Sequence, residues 1–248
     1  MGAVKNAITE VGASGINLLE TLKYIARGKI SVGDTSIQMI KAGIGSLFIV
    51  IITTGFIGLA IASQLAREFE KFGAEQFLGG LIAVATVREL APVITSIVVT
   101  GRVGAAIAAE IGSMKTSEQI DALSVLGINP IKYLLVPRLI ATSLASPLLT
   151  IIAAFISIVA GMFLANMIID LNYTVYLNAV RQFLQLKDVL VMMLKAVIFG
   201  ATIAVIATTT GFEVTGGAEA VGEAATKTVV RCIILIFFFN YVITSVFF

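Results

Sequence analysis

The feature that most constrains this chain is a series of apolar stretches long enough to cross a lipid bilayer. A crossing takes about 20 residues of helix. Five stretches meet that length, at residues 37–63, 77–109, 139–169, 189–212 and 228–248. Lipid offers backbone polar groups no water partners, so such stretches form helices. The sequence therefore predicts an all-α membrane protein with about five transmembrane helices.

The composition excludes several classes of site. Hydrophobic residues make up 58% of the chain and charged residues 13%, with a mean hydropathy of +1.02, whereas soluble domains carry about 25% charged residues. Because the chain has no histidine, it lacks the usual general base and the commonest metal ligand. The lone Cys232 excludes an internal disulfide. We expect no catalytic residue, no metal site and no cofactor.

The chain also lacks the phosphate-binding motif G-x-x-x-x-G-K-[ST]. That motif supplies the glycine-rich loop and the lysine that cradle the phosphates of ATP. If ATP drives this protein, another chain must bind it.

The first 36 residues differ from the rest of the chain. Residues 4–26 carry apolar side chains at helical spacing with lysine and arginine around them, which is typical of an amphipathic helix in the membrane interface. A loosely ordered tail is the alternative. We assign residues 1–36 to an N-terminal interfacial region and residues 37–248 to a membrane domain. A capping box formed by Thr35 and Gln38 is predicted to open the first membrane helix.

The segments between the apolar stretches are predicted to be mostly loops. Residues 64–76 read as a charged hairpin, residues 170–188 as a mixed loop, and a glycine-rich stretch precedes residue 228. The second membrane helix is predicted to be tilted and kinked near Pro92, because proline interrupts helical hydrogen bonding.

The connection at residues 110–138 contains a short helix signal at residues 118–126. Thr116 and Gln119 are predicted to cap its start and Gly127 to end it, and Asn129 is predicted to cap the helix that follows. A compact helix in such a loop suits a docking element for a soluble partner. A simple connector fits the spacing equally well.

The distribution of basic residues orients the chain, because cytoplasmic loops are enriched in lysine and arginine. With the N-terminus inside, eleven basic residues lie on the inner side and four on the outer side. This orientation makes the 110–138 connection and the glycine-rich loop cytoplasmic. The C-terminus is then expected on the outer side.

Six charged residues lie within the apolar stretches, and three of them, Lys41, Arg102 and Arg231, are among the basic residues counted on the inner side. The other three are Arg88, Glu89 and Lys195. Arg88 and Glu89 are well inside the second stretch, and Lys195 is near the outer end of the fourth. Intramembrane charges are costly and tend to mark function. Adjacent helical residues point about 100° apart, so Arg88 and Glu89 need not pair with each other. A structural interhelical ion pair is the alternative role, and snorkelling toward the interface could explain Lys195.

Two long motifs resemble the permeases of MlaE type, which occur with MCE proteins in lipid-trafficking ABC transporters. The first is RELAPVITSIVVTGRVGAAIAAEIGSMKTSEQIDAL followed by INPIKYLLVPR, and the second is GGAEAVGEAATKTVV followed by NYVITSVFF. The resemblance extends from about residue 40 to the end. One departure is Asn240, which stands where the family usually has an acidic residue.

The resemblance implies the partners and the substrate. It implies a homodimer in the bacterial inner membrane, with ABC ATPase subunits on the cytoplasmic side, an MCE-domain protein on the periplasmic side, and a phospholipid substrate. It implies that Arg88, Glu89 and Lys195 lie in or near the lipid cavity. The positions implied for ATPase coupling are Glu110, Glu118, Gln119, Asp121 and Leu123.

Two other functions remain open from the sequence. A secondary transporter driven by ions could use Glu89 to carry a proton, although such folds often have internal repeats, which the sequence lacks. A non-transporting membrane scaffold would leave Arg88 and Glu89 without a role.

Overall fold

The computed structural model describes Thr21, Tyr24 and residues 31–248 of the chain. Residues 31–248 form helices α1 to α8 and no strand. Their bounds are α1 Val32–Ala42, α2 Ile44–Lys71, α3 Glu75–Thr116, α4 Gln119–Val125, α5 Ile131–Ile169, α6 Tyr173–Phe183, α7 Leu186–Phe212 and α8 Ala218–Phe247. Five helices are long and apolar enough to cross a membrane: α1 together with α2, then α3, α5, α7 and α8. The predicted all-α fold with five crossings is confirmed.

The first crossing begins earlier and ends later than predicted. Ser31 caps α1 through a hydrogen bond from the Asp34 backbone N–H, so the predicted capping box at Thr35 is wrong. The Thr35 hydroxyl instead donates to the Ser31 carbonyl. The predicted hairpin at residues 64–76 is also wrong over most of its length, because α2 continues through its charged residues to Lys71. Charged side chains that stay in water keep their hydration, so a helix can continue through them without a desolvation cost.

Helix α3 is continuous and contains two π-helical turns, at Thr86–Leu90 and Thr100–Gly104. The first lies just before Pro92, where the sequence predicted a kink. A π-helical turn is a common local response to a disturbed hydrogen-bond ladder. Because α3 ends at Thr116 rather than at residue 109, Glu110 belongs to this helix and not to a loop.

The short helix in the next connection is confirmed, but its start differs. Helix α4 begins at Gln119 after Glu118, whose φ of 60° is left-handed, and Thr116 belongs to α3. Gly127, with a φ of 74°, follows the end of α4 as predicted. The predicted cap at Asn129 is confirmed, since its Oδ1 accepts from the backbone N–H groups of Ile131 and Lys132 at 2.9 and 3.2 Å.

Helix α6 occupies most of the segment predicted to be a loop. Asn172 caps it by accepting from the Thr174 N–H at 2.9 Å. Its side chains Tyr176 and Ala179 are buried against the start of α3. Helix α8 likewise begins at Ala218 rather than at residue 228, because the residues after Gly217 are good helix formers.

The connectivity places the ends of the crossings on two opposite faces. The α4 face carries the start of α1, helix α4 and the α7–α8 connection. The α6 face carries helix α6 and the α2–α3 connection. The predicted N-terminal helix at residues 4–26 lies outside the described residues except for Thr21 and Tyr24. The Tyr24 hydroxyl accepts a hydrogen bond from Asn129 Nδ2 at 3.2 Å, so Tyr24 lies on the α4 face. The predicted boundary between residues 36 and 37 falls inside α1.

Small residues let the crossings approach closely. A side chain on Gly200 of α7 would meet the Thr142 carbonyl of α5, and the Thr142 hydroxyl donates to the Gly200 carbonyl at 2.8 Å. Large apolar side chains such as Phe48, Phe155 and Phe238 instead point outward and are exposed. This arrangement suits a protein whose surrounding solvent is lipid.

Candidate functional site

The candidate site is a group of seven residues toward the α6 face, which we term the polar cluster. Its members come from α3, α7, α8 and the residue after α8: Arg88, Glu89, Asp188, Lys195, Asn240, Thr244 and Phe248. The sequence singled out Arg88, Glu89 and Lys195, and the structure brings these three together.

The backbone of α3 offers a free carbonyl group, that of Arg88, to the polar cluster. Arg88 and Glu89 lie in the π-helical turn Thr86–Leu90. Pro92 stands four residues after Arg88 and has no N–H to donate to the Arg88 carbonyl. Lys195 Nζ donates to that carbonyl at 2.6 Å. A side chain of α7 thus replaces a missing helical hydrogen bond in α3.

Lys195 is fully buried, with 0% of its side chain exposed. Its ammonium group also donates to Glu89 Oε1 at 3.1 Å and to Thr244 Oγ1 at 2.8 Å. Its three N–H groups therefore have three acceptors, from α3 and α8. A snorkelling lysine would reach the interface, so the snorkelling interpretation is wrong.

Arg88 and Glu89 each pair with another helix and not with each other. Arg88 Nε donates to Asp188 Oδ1 at 2.9 Å, and the Arg88 guanidinium lies 4.1 Å from the centre of the Phe248 ring. Asp188 is buried, and its other carboxylate oxygen accepts from the Gln185 N–H at 2.8 Å. Arg88 is thereby fixed to the first turn of α7 by a carboxylate that also caps that helix.

Glu89 accepts from three side chains. Besides Lys195, Thr244 Oγ1 donates to Oε1 at 2.8 Å and Asn240 Nδ2 donates to Oε2 at 2.5 Å. An amide at position 240 suits this geometry, because an ionised carboxylate could not donate a hydrogen bond to Glu89. The departure at Asn240 therefore leaves an uncharged donor beside Glu89.

The cluster carries two positive and two negative side chains, which compensate one another. Asp188 and Lys195 are buried, whereas the side chains of Arg88 and Glu89 are 33% and 40% exposed. Buried partners thus hold one partly open cation and one partly open anion. Arg88 can present its remaining guanidinium N–H groups to an anionic oxygen such as a phosphate.

Sequence reasoning missed Asp188, Thr244 and Phe248. Two signals were present: Gln185 and Asp188 stand at capping-box spacing at the start of α7, and Pro92 marks the unsatisfied Arg88 carbonyl. Thr244 and Phe248 carried no such signal, because their roles depend on where α8 packs.

The five residues predicted for ATPase coupling lie toward the α4 face and not near the polar cluster. Glu118, Gln119 and Asp121 are exposed, and Leu123 is half-buried. Asp121 pairs with Lys115 at 2.9 Å. Glu110 Oε2 lies 3.1 Å from Arg138 Nη2, so Glu110 points to α5.

The sequence did not predict an exposed apolar surface beside α4. Val125 and Leu126 are 88% and 73% exposed, and Ile128 and Tyr133 are also exposed. Val125 ends α4, Leu126 and Ile128 lie in the loop that follows it, and Tyr133 lies in the first turn of α5. A group of exposed apolar side chains is typical of a contact with another protein or with a membrane.

Comparison with known proteins shows consistent similarity over most of the chain. The family model described as Permease MlaE matches residues 35–246. A probable ABC transporter permease protein of Synechocystis is 43% identical over 218 residues, which cover 88% of this chain and 83% of the relative. A probable ABC transporter permease protein of Rickettsia prowazekii is 40% identical over 211 residues, 85% of this chain and 82% of the relative.

A plant protein is similar as well. The chloroplastic protein TRIGALACTOSYLDIACYLGLYCEROL 1 of Arabidopsis thaliana is 41% identical over 224 residues, which cover 90% of this chain. The matched region spans 64% of that longer protein.

The mutual dependence of Lys195 and Glu89 gives a testable prediction. Lys195→Met should lower the stability of the purified protein by about 2 kcal/mol, because it removes a donor from the Glu89 carboxylate and from the Arg88 carbonyl. Glu89→Gln in the same chain should recover part of that loss. Thermal unfolding in detergent of the two single variants and the double variant measures the coupling, and strictly additive losses would show that the two side chains do not stabilise each other.

Proposed function

This chain belongs to the MlaE permease family and is a membrane permease subunit, and on that basis we propose that it moves phospholipid with energy from a separate ATPase. The substrate would pass between the inner membrane and the cell envelope. Five apolar crossings supply a surface for acyl chains, and the polar cluster supplies groups for a head group.

The observation that carries this proposal is the compensated but partly open polar cluster. A charge at the bilayer centre costs about 2.5–3.5 kcal/mol on insertion scales, and the polar cluster holds four charged side chains within or at the end of the apolar crossings. Asp188 and Lys195 form their hydrogen bonds with other groups of the protein. Arg88 and Glu89 retain exposed surface, so both signs of charge remain available to a polar head group in an apolar surrounding.

The names of similar proteins also support a lipid-transporting permease. Two of them are named as ABC transporter permeases, and the Arabidopsis relative has a galactolipid, trigalactosyldiacylglycerol, in its name. We infer a lipid substrate for this chain. Since the sequence has no ATP-binding motif, we infer that the ATPase is a partner chain.

The α4 face is the proposed docking surface for that ATPase. Helix α4 and the residue before it present the exposed side chains of Gln119, Asp121 and Glu118. Val125 and Leu126 supply apolar area beside them. On this proposal the α4 face is cytoplasmic, in agreement with the distribution of basic residues. The C-terminal end of α8 then faces the periplasm.

Two further assembly partners follow from the family resemblance. We propose that two copies of the chain form a homodimer and that an MCE-domain protein binds the periplasmic face, which is the α6 face here. The polar cluster lies toward that face, so a lipid leaving the cluster would have a short path to such a protein.

Replacing Arg88 tests the lipid site. Arg88→Ala should lower the phospholipid retained on purification and slow ATP-dependent lipid transport, while the complex still assembles. Arg88→Lys should recover only part of both, because a lysine cannot form the bidentate contact of a guanidinium. Lipid analysis of the purified complex and transport in proteoliposomes measure the two effects.

Arg181→Ala on α6 is the matched control, since Arg181 is an exposed arginine on the same face. It should retain lipid as the unaltered chain does. Wild-type lipid content and transport in Arg88→Ala would show that Arg88 has only a structural role. Transport that persists without any ATPase subunit would favour an ion-driven transporter instead.

Reversing the charge of two carboxylates at the start of α4 tests the docking surface. The double variant Glu118→Lys, Asp121→Lys should weaken co-purification of the ATPase by about ten-fold, because both side chains are exposed where the partner would lie. Glu70→Lys, which alters an exposed carboxylate on the opposite face, should leave co-purification unchanged. Equal recovery of the ATPase with both variants would contradict docking at α4.

A further inference from the structure

Arg138 is a buried cation close to the α4 face that the proposed lipid site does not use. Its side chain is 5% exposed, and it lies at the start of α5, just after the π-helical turn Ile131–Leu135. Burying a guanidinium is costly unless its donors are paired. The partners of the Arg138 guanidinium therefore indicate its structural role.

Those partners lie on both sides of α4 along the chain. Arg138 Nη2 pairs with Glu110 Oε2 of α3 at 3.1 Å, and Nη1 donates to the Leu134 carbonyl of the π-helical turn at 2.8 Å. Glu110 precedes α4 and Leu134 follows it. One guanidinium thus joins the two segments from which the α4 loop projects.

Other contacts make α4 and these segments a single unit. Lys115 at the end of α3 pairs with Asp121 of α4, Ile120 of α4 is buried, and Asn129 caps the segment that leads into α5. Each contact spans a few residues only. The Arg138–Glu110 pair is the one we find, within residues 31–248, that ties α3 directly to α5 at this face by an ion pair.

Helix α3 continues from this tie to the polar cluster. Glu110 and Arg88 lie 22 residues apart on it, or about 33 Å at 1.5 Å per residue. If α3 moves as one body, a displacement at Glu110 reaches the residues proposed to hold the head group. Without a tie between α3 and α5, a force on α4 would distort the loop instead.

We propose that Arg138 is a positioning residue that fastens the α4 loop to α3 and α5, so that movement of a partner bound at α4 reaches both helices together. This role deepens the proposed function. One of its two tests, the amount of lipid moved per ATP hydrolysed, rests on the proposed function because it needs the ATPase. The other test depends on the permease alone.

A cavity beside Arg138 supplies the matched control. It has a volume of about 190 Å³ and is lined by Asp34 and Gln38 of α1 together with Glu110 and Arg138. Arg138 Nε has no hydrogen-bond partner among the described residues. Asp34 is thus a second carboxylate on the same cavity, but its Oδ2 accepts from the Ser31 hydroxyl at 2.6 Å and forms no ion pair with Arg138.

The first measurement is amide hydrogen exchange of the purified permease in lipid nanodiscs. Glu110→Gln should raise exchange in residues 119–135 by about five-fold, because the loop loses its fastening. Asp34→Asn should leave that region unchanged. Unaltered exchange in Glu110→Gln, or an equal rise in Asp34→Asn, would overturn the proposal whether or not the chain transports lipid.

The second measurement is the amount of lipid moved per ATP hydrolysed in the complex with its ATPase. Glu110→Gln should lower this ratio by about five-fold while the ATPase still co-purifies, and the exchanged pair Glu110→Arg, Arg138→Glu should recover part of it. Loss of ATPase binding in Glu110→Gln would make Glu110 a contact residue and overturn the proposal. Absence of ATP-dependent transport in the unaltered complex would contradict the proposed function, and the exchange data would still decide the role of Arg138.

Discussion

A fully buried ammonium group holds three membrane-spanning helices of this protein together. Lys195 of α7 donates to the Arg88 carbonyl and the Glu89 carboxylate of α3 and to the Thr244 hydroxyl of α8. The hydrocarbon chains of lipid supply no alternative acceptor, so separating these helices in an apolar surrounding would leave a charged group unpaired. Pro92 makes the arrangement more specific, because it withholds the N–H that the Arg88 carbonyl would otherwise accept.

Compensation within the protein explains how intramembrane charges can serve a ligand that comes and goes. Arg88 is held by Asp188, and Glu89 by Lys195 and Asn240. Each of the two partly exposed groups is therefore stable without a ligand. A passing phospholipid head group would add contacts to a site that is already organised, which lowers the ordering cost of binding.

The sequence predicted the structural features that depend on a single residue or on one local pattern. The five crossings follow from apolar length, and Asn129 caps its helix as its side-chain chemistry predicts. Arg88, Glu89 and Lys195 stand out because charges are rare in apolar stretches. Contacts between distant segments could not be predicted in this way. The pairing of Arg88 with a residue 100 positions away depends on how α3 and α7 pack, and α6 was missed because its polar residues resemble a loop.

Native mass spectrometry of the complex purified from membranes tests most directly whether this permease is the membrane subunit of an ATP-driven phospholipid transporter. It reports the protein partners, their stoichiometry and any retained lipid in one measurement. The expected particle contains two copies of this chain, two ATPase subunits and bound phospholipid. A particle that holds this chain without any ATPase and without phospholipid would contradict the account.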